Sequence, residues 1–90
     1  MEDVTFRRDR HDIVNDILET ARDAKVKTRI MGMAQLSFDQ LNKYLDLLVK
    51  KGFMENMAIK RKRQVISFYR TTRKGIELLH HMEAVNKLLE

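Results

Sequence analysis

The chain has 90 residues, of which 43% are hydrophobic and 34% charged, so it can form one small domain and is too apolar to be disordered. No apolar run approaches the 18 or so residues of a membrane span, and the first residues lack the apolar core of a signal peptide. The absence of cysteine excludes disulfides and thiolate chemistry, and these features together favour a cytoplasmic protein.

A single helix is predicted near the start of the chain. Residues 9–23 are expected to be helical because their apolar side chains recur about one turn apart. The outer face of this helix is acidic, which favours a scaffold role over contact with a polyanion. Residues 1–8 are predicted to form an extended arm or a fraying terminus, with Phe6 as a staple onto the helix, and residues 24–27 to form a short basic connection.

Two helices separated by a tight connection are predicted next. The first covers residues 28–34, with Thr28 as its N-cap. The second covers residues 37–52, where Ser37 and Gln40 have the spacing of a capping box and a glycine supplies the stop. Its predicted packing face comprises Phe38, Leu41, Tyr44, Leu45, Leu48 and Val49. Its outer face comprises Asp39, Lys43, Asp46 and Lys50, with Gln40 and Asn42 on the flanks.

After this second helix the pattern changes to that of a β-hairpin. Residues 53–60 and 65–72 are rich in β-branched and aromatic side chains, and residues 61–64 lie between them. A tip longer than a tight turn is expected, because KRKRQ contains neither Gly nor Asn. The first strand is expected to be short or bulged, since its apolar residues do not alternate cleanly.

The hairpin region also carries most of the positive charge. Residues 56–76 contain seven basic residues and no acidic ones, a net charge of +7, whereas the other 69 residues sum to −2. Such an uninterrupted basic segment is typical of a surface that meets a polyanion.

The last predicted helix covers residues 73–90, with Thr72 as its N-cap. Four of its apolar residues have the spacing of a coiled-coil seam: Leu78, Met82, Val85 and Leu89. Ile76 and Leu79 lie nearer the flank and are expected to contact the domain. The seam is predicted to form a homodimer; the alternative is that it folds back on the first helix.

Helix, turn, helix and then a charged hairpin is the order of elements in a winged helix-turn-helix. The segments TRIM (28–31), LSFDQLNKYLDLLVKKGF (36–53) and FYRTTRKGIELL (68–79) resemble archaeal winged-helix DNA-binding proteins. The resemblance is closest to the small dimeric, chromatin-associated type, whose C-terminal helix forms an antiparallel coiled coil. It implies a mainly α (α+β) fold: a three-helix core, a β-hairpin wing and a C-terminal dimerisation helix. Residues 1–72 would be the DNA-binding domain and residues 73–90 the dimerisation helix.

The predicted DNA contacts lie on the two helices of the helix-turn-helix and on the hairpin. They are Thr28, Arg29, Ser37, Gln40, Asn42, Lys43, Lys60, Arg61, Lys62, Arg63, Arg70 and Arg73. Amide side chains on the second of these helices can pair with adenine, and its lysine with guanine or phosphate. The cations of the hairpin tip are expected to contact phosphates, which gives affinity without sequence information.

The sequence predicts binding rather than catalysis. His80 and His81 are adjacent and would point about 100° apart on a helix, and His11 has no partner at ligand spacing, so no metal site is expected. No cofactor is predicted, because no Gly-rich phosphate loop occurs. The predicted function is double-stranded DNA binding by a homodimeric transcriptional regulator or chromatin-associated protein. The alternative is a protein–protein interaction module of the transcription machinery whose acidic partner uses the same basic patch.

Overall fold

The computed structural model describes residues 9–90, which form four helices and one three-stranded antiparallel sheet. In chain order the elements are α1 (Arg10–Thr20), β1 (Lys25–Val26), α2 (Lys27–Ala34), α3 (Phe38–Lys50), β2 (Met54–Arg61), β3 (Gln64–Thr71) and α4 (Arg73–Leu89). The predicted fold class, a mainly helical winged helix-turn-helix, is confirmed. The arm predicted over residues 1–8, including Phe6, lies outside the described residues. None of the described helices is long and apolar enough to cross a membrane.

Local chemistry fixes both ends of α3. The Ser37 hydroxyl accepts a hydrogen bond from the backbone N–H of Gln40 at 3.2 Å, and the Gln40 side chain accepts one from the Ser37 N–H at 3.1 Å. This is the predicted capping box. At the other end Gly52 has a φ of 83°, and its amide and the next one donate back into the last turn as in a Schellman motif. The helix therefore starts and stops where the sequence predicts.

The start of α2 differs from the prediction. The helix begins at Lys27 after Val26 as N-cap, and no side chain caps it. Thr28, the predicted N-cap, lies inside the first turn. The physical reason is that Lys25 and Val26 are held as a strand, so the chain enters the helix directly from the sheet.

The core lies where the helices meet the base of the sheet. Its buried side chains are Val14, Ile17, Leu18, Ala21, Ile30, Ala34, Leu41, Leu45, Leu48, Met54, Tyr69 and Leu79. All four helices and the two long strands contribute, so the core is continuous. Leu79 is fully buried and Ile76 packs against the cluster, as predicted for the domain-facing side of α4.

The sheet has the order β1-β3-β2, so the strand that comes last in the chain is the central one. The strand β1 occupies residues predicted to be a simple connection, and it pairs Lys25 with Tyr69 and Val26 with Phe68. The partners of β2 and β3 match one to one along their whole length. The bulge or shortening expected in β2 is therefore absent from the described hairpin.

The wing turn is shorter than predicted. Arg61 pairs with Gln64, so only Lys62 and Arg63 connect the two strands. Lys62 has a φ of 55°, a left-handed conformation that two-residue hairpin turns usually assign to Gly, Asn or Asp. The expectation of a long tip was wrong because the turn forms without one of these residues.

The junction before α4 joins several elements. The Thr71 backbone N–H donates to the Ala21 carbonyl at 2.8 Å, and its hydroxyl donates to the Leu18 carbonyl at 2.7 Å. These bonds use the last carbonyls of α1, which ends at Thr20, three residues earlier than predicted. The side chain of Thr72 caps α4 as predicted, accepting from the N–H of Gly75.

Gly75 lies at the closest approach within this junction. A Cβ at this position would lie 2.5 Å from Thr71 Cγ2 and closer still to the carbonyl oxygen of Phe53. In the sequence Thr72-x-x-Gly75, the threonine therefore caps α4, and the glycine allows α4 to pack closely against the loop after α3, where any larger residue would clash.

Candidate nucleic-acid interface

The wing tip is defined here as the four residues Lys60, Arg61, Lys62 and Arg63. All four side chains are exposed. Successive side chains of a strand point to opposite faces of a sheet, so Lys60 and Arg61 project from opposite faces of the hairpin. Lys62 and Arg63 occupy the turn itself. The tip therefore presents positive charge on both faces and at its end.

The other basic residues of the segment 56–76 lie away from the wing tip. Arg70 is paired across the strands with Glu55, its Nε 2.9 Å from the carboxylate. This pair lies six residues, about 20 Å, from Arg61 along β2. Lys74 donates to the Lys51 carbonyl at 2.8 Å and so closes the end of α3. Arg73 is exposed at the start of α4, at the far end of the hairpin from the tip.

Ser37 and Gln40, both predicted to contact DNA, already have a structural role at the start of α3. Ser37 and Gln40 make the capping box, although both remain exposed. Lys43 is exposed on the outer face, and no contact holds it among residues 9–90. Thr28 and Arg29 are exposed on α2, one helix earlier. Of the residues predicted to contact DNA on these two helices, Lys43 and Arg29 are the cations that have no partner among residues 9–90.

A cluster around Lys27 joins α2, α3 and the sheet. The Lys27 ammonium donates to Asn42 Oδ1 at 2.6 Å and lies 5.2 Å from the ring centroid of Phe38 and 6.0 Å from that of Tyr69. Phe38 was predicted to pack inward, but it is 54% exposed because it is the first residue of α3 and its ring lies beside this ammonium at the surface. Sequence reasoning missed Lys27, since its partners lie 11 to 42 positions further along the chain.

Tyr69 lies in the same cluster and is nearly buried. Burial raises the pKa of its phenol, and the negative charge of Asp46 raises the pKa further.

The raised pKa of Tyr69 gives a prediction at alkaline pH. The folded state holds this proton more tightly than the unfolded state does, so the free energy of unfolding is unaffected by the group below about pH 10 and falls as the pH rises beyond it. Tyrosinate absorbance should show a late ionisation in the wild type that is missing from Tyr69→Phe. Ionisation of Tyr69 at or below its usual pKa would contradict the prediction.

The predicted seam of α4 lines an open groove of about 640 Å³ between α1, the end of α3 and α4. Leu78 and Met82 are half-buried and pack against the core. Val85 and Leu89 are 53% and 79% exposed. The first half of the seam therefore covers the domain, as in the alternative considered above, and the second half projects beyond it.

No set of three or more His, Asp or Glu side chains suited to holding a metal ion occurs within residues 9–90.

Comparisons with known proteins agree with this architecture. A family model described as winged helix-turn-helix matches residues 7–90. The chain is similar to the crystal structure of Sso10a-2, a DNA-binding protein from Sulfolobus solfataricus, with a TM-score of 0.76 and 31% identity over 90% of this chain and 81% of that one. It is also similar to a PadR family transcriptional regulator from Eggerthella lenta (TM-score 0.71, 21% identity, 90% of this chain and 84% of that one).

A further similar structure is ZitR, a zinc-responsive MarR family member from Lactococcus lactis (TM-score 0.67, 14% identity, 94% of this chain and 58% of that one). At their low identity, the PadR and MarR likenesses show the fold alone. Among curated proteins, none matches the sequence.

Proposed function

The chain belongs to the winged helix-turn-helix family, and we propose that it binds double-stranded DNA as a transcriptional regulator or chromatin-associated protein, without catalysing a reaction. The observation that carries this proposal is the wing tip, in which four exposed cations lie on both faces and at the end of a two-residue turn. The similarity to Sso10a-2, a DNA-binding protein, supports it.

The geometry of the wing tip suits a groove of a duplex. A groove is bounded by two phosphodiester strands, so a ribbon that enters it meets negative charge on both sides. Lys60 and Arg61 face opposite ways, so each can reach one of the two phosphodiester strands. Lys62 and Arg63, at the end of the hairpin, would enter the groove first. A flat basic surface would instead place all its cations against one strand.

The helix α3 supplies the second part of the proposed interface. In a winged helix-turn-helix the second helix of the pair enters the major groove, and its first turns face the bases. Lys43 and Arg29 are exposed cations for phosphates or guanine, and the exposed ring of Phe38 can contact a thymine methyl. Asp39, also exposed, opposes close approach of phosphate, so α3 is proposed to select among sequences rather than adhere to all of them.

The test of this function is the salt dependence of duplex binding by the full chain. The logarithm of the binding constant should fall linearly with the logarithm of salt concentration, with a slope of roughly −0.9 for each phosphate contact. An acidic polypeptide of similar charge serves as the competitor, since an acidic protein partner would use the same patch. Failure to bind duplex at low salt, or equal binding to the polypeptide, would contradict the proposal.

We further propose that two copies associate through α4. Val85 and Leu89 extend the apolar lining of the groove beyond the domain, where an apolar stripe left in water favours association. Burying this stripe against a second copy contributes about 25 cal/mol per Å² of apolar area. The exposed Leu47 on the opposite wall of the groove adds to the surface available to a partner helix.

Introducing charge at the exposed half of the seam should therefore give a monomer. Val85→Glu combined with Leu89→Glu leaves Leu78 and Met82 to cover the core, so the variant is expected to remain folded. Duplex binding should weaken as well, because two linked wings gain from effective concentration. Sedimentation of the wild type and the variant measures the change.

Leu88→Glu is the matched control, because Leu88 is 85% exposed on the same helix but does not line the groove. It should sediment as the wild type does. A monomeric wild type at micromolar concentration, or a double variant that stays dimeric, would place the interface elsewhere.

A further inference from the structure

We propose that the open face of the wing, defined as the face of β2 and β3 that points away from the helices, contacts a second copy of this chain bound beside the first on the same duplex. The inference rests on the proposed function, because DNA brings the copies together. It goes beyond that function by assigning a surface to contacts between neighbours, separate from the proposed pairing through α4.

The open face is apolar although the helical core does not cover it. Residues paired across two antiparallel strands share a face, and successive residues of a strand alternate between faces. Met54, Tyr69 and Thr71 are buried on the face toward the helices. Their neighbours therefore lie on the open face, where the apolar side chains are Val26, Met57, Ile59, Ile66 and Phe68. Within residues 9–90, none of these five belongs to the core cluster or packs against it.

The two faces of the hairpin differ in character. Behind the tip, the face toward the helices carries Asn56, Ala58, Val65 and Ser67, of which the valine alone is large and apolar. On the open face Ile59 is 45% exposed, and the other apolar side chains are half-buried. An antiparallel sheet with one packed side usually has polar residues on the other side. An apolar open face is typical of a surface that a partner covers.

The charges at the ends of the open face are complementary to those of a second copy. Two wings that pack face to face with both tips toward the DNA are related by a two-fold axis along the strands, so β2 of each lies opposite β3 of the other. Glu55 of each copy then lies opposite Arg70 of the other, and the apolar rows between base and tip meet each other. At the tip, Arg61 lies opposite the uncharged Gln64. This arrangement pairs opposite charges at the base and places no arginine opposite another at the tip.

The size and charge of the contact explain why DNA is required. The open face is two strands wide and about 20 Å long from Glu55 to Arg61, which offers roughly 200–400 Å² per copy. A stable interface buries about 800 Å² on each partner. Pairing also brings two wing tips of four cations each side by side, and their repulsion opposes the contact in free solution. A duplex neutralises these cations and holds the copies at a high effective concentration, so the face pairs there.

The length of the duplex separates this contact from the binding of a single protein. The wild type should bind a long random duplex cooperatively, and a short duplex with room for one bound protein without cooperativity. Ile59→Thr keeps a β-branched residue at an exposed position and removes apolar surface from both copies. The cooperativity factor on the long duplex is therefore expected to fall about tenfold, with affinity for the short duplex unchanged.

Val65→Thr is the matched control for this experiment. Val65 is 67% exposed on the opposite face of the same hairpin, so its substitution should leave both the cooperativity and the affinity unchanged. Glu55→Lys tests the charge pairing. It makes the protein more basic, so affinity for the short duplex should not fall, whereas cooperativity should fall because the lysine then lies opposite Arg70 of the second copy.

Cross-linking measures the geometry directly. The chain contains no cysteine, so Ile59→Cys introduces a unique thiol. A bismaleimide reagent about 10 Å long, the spacing of stacked sheets, should join two copies of this variant on the long duplex. It should not join copies of Val65→Cys, whose thiols lie on the far sides of the paired wings.

Three results would overturn the inference and leave the proposed function intact. Wild-type cooperativity in both Ile59→Thr and Glu55→Lys would show that the open face does not meet a second copy, and a loss of stability in Ile59→Thr would then indicate that the same chain covers it. Equal weakening of Ile59→Thr on both duplexes would show that the face touches DNA instead. Non-cooperative binding by the wild type would exclude a contact between neighbours. A wild type that binds neither duplex would contradict the proposed function, and the inference with it.

Discussion

Replacing Gly75 with alanine is expected to destabilise the domain by about 3 kcal/mol, the upper end of the usual cost of overpacking. The added methyl would lie 2.5 Å from Thr71 Cγ2 and closer still to the backbone carbonyl of Phe53. Neither neighbour can withdraw, because Thr71 is tied to Leu18 and Ala21, and the Phe53 carbonyl accepts from Thr72. The helix α4 would have to shift off the core and expose Leu79. Chemical denaturation of the variant measures the loss.

Gly32→Ala is the matched control for this experiment. Gly32 is also a helical glycine, but a Cβ there would meet nothing within 4 Å. Alanine in a helix interior is favoured over glycine by about 1 kcal/mol, so this variant should be slightly more stable than the wild type. Equal stability of Gly75→Ala and the wild type would show that the junction can accommodate an added methyl group.

Neutralising the wing tip is expected to have the largest effect on DNA binding. The variant Arg61→Gln, Lys62→Asn, Arg63→Gln removes three of its cations. Asparagine is chosen at position 62 because it tolerates the left-handed conformation found there, so the turn is retained. If all three contact phosphates, the log–log salt slope should flatten by roughly 2.7, with affinity falling on every duplex sequence alike. Titration of a labelled duplex at several salt concentrations measures both quantities.

A control of equal charge separates wing contacts from a general loss of positive charge. Arg10, Arg22 and Lys87 are exposed and lie outside the wing and outside α3, so changing all three to Gln alters the net charge by the same amount. This control should change the slope by much less. An equal effect of the two variants would show that binding follows the overall charge of the protein and not the wing.

Much of the fold could be predicted because its signals are local. The capping box of α3, its glycine stop and the Thr72 cap each involve residues at most a few positions apart. Several features were mispredicted, and two of them depend on contacts between residues far apart in the chain. The strand β1 has only two residues and exists because of a partner more than 40 positions away. The start of α2 depends on that strand. The tight wing turn places a lysine in a conformation that turn statistics assign to other residues.

The candidate site shows the same division. The exposed charges of the wing tip follow from sequence because four adjacent cations cannot all be buried. Arg70 was counted with them, but the register of the hairpin brings Glu55 opposite, and register is a property of the folded sheet. The contact between Lys27 and Asn42 joins two helices, and the hydrophobic periodicity of neither helix predicts it. The contacts of the remaining predicted residues with DNA, and the homodimer, stay predictions.

The order of the strands has a consequence for the growing chain. Within the described residues, β1 and β2 each pair only with β3, which is made last. In a nascent chain that has not yet reached Gln64, β1 and β2 have no strand to pair with. The carbonyls at the end of α1 likewise lack the hydrogen bonds that Thr71 later donates. The pairing of β1 with β3 and the bonds from Thr71 to α1 each close a loop of more than 40 residues, so little of their gain is available before the rest of the domain forms. We therefore expect no stable half of this domain during synthesis, and expect it to fold as one unit after most of it has left the ribosome.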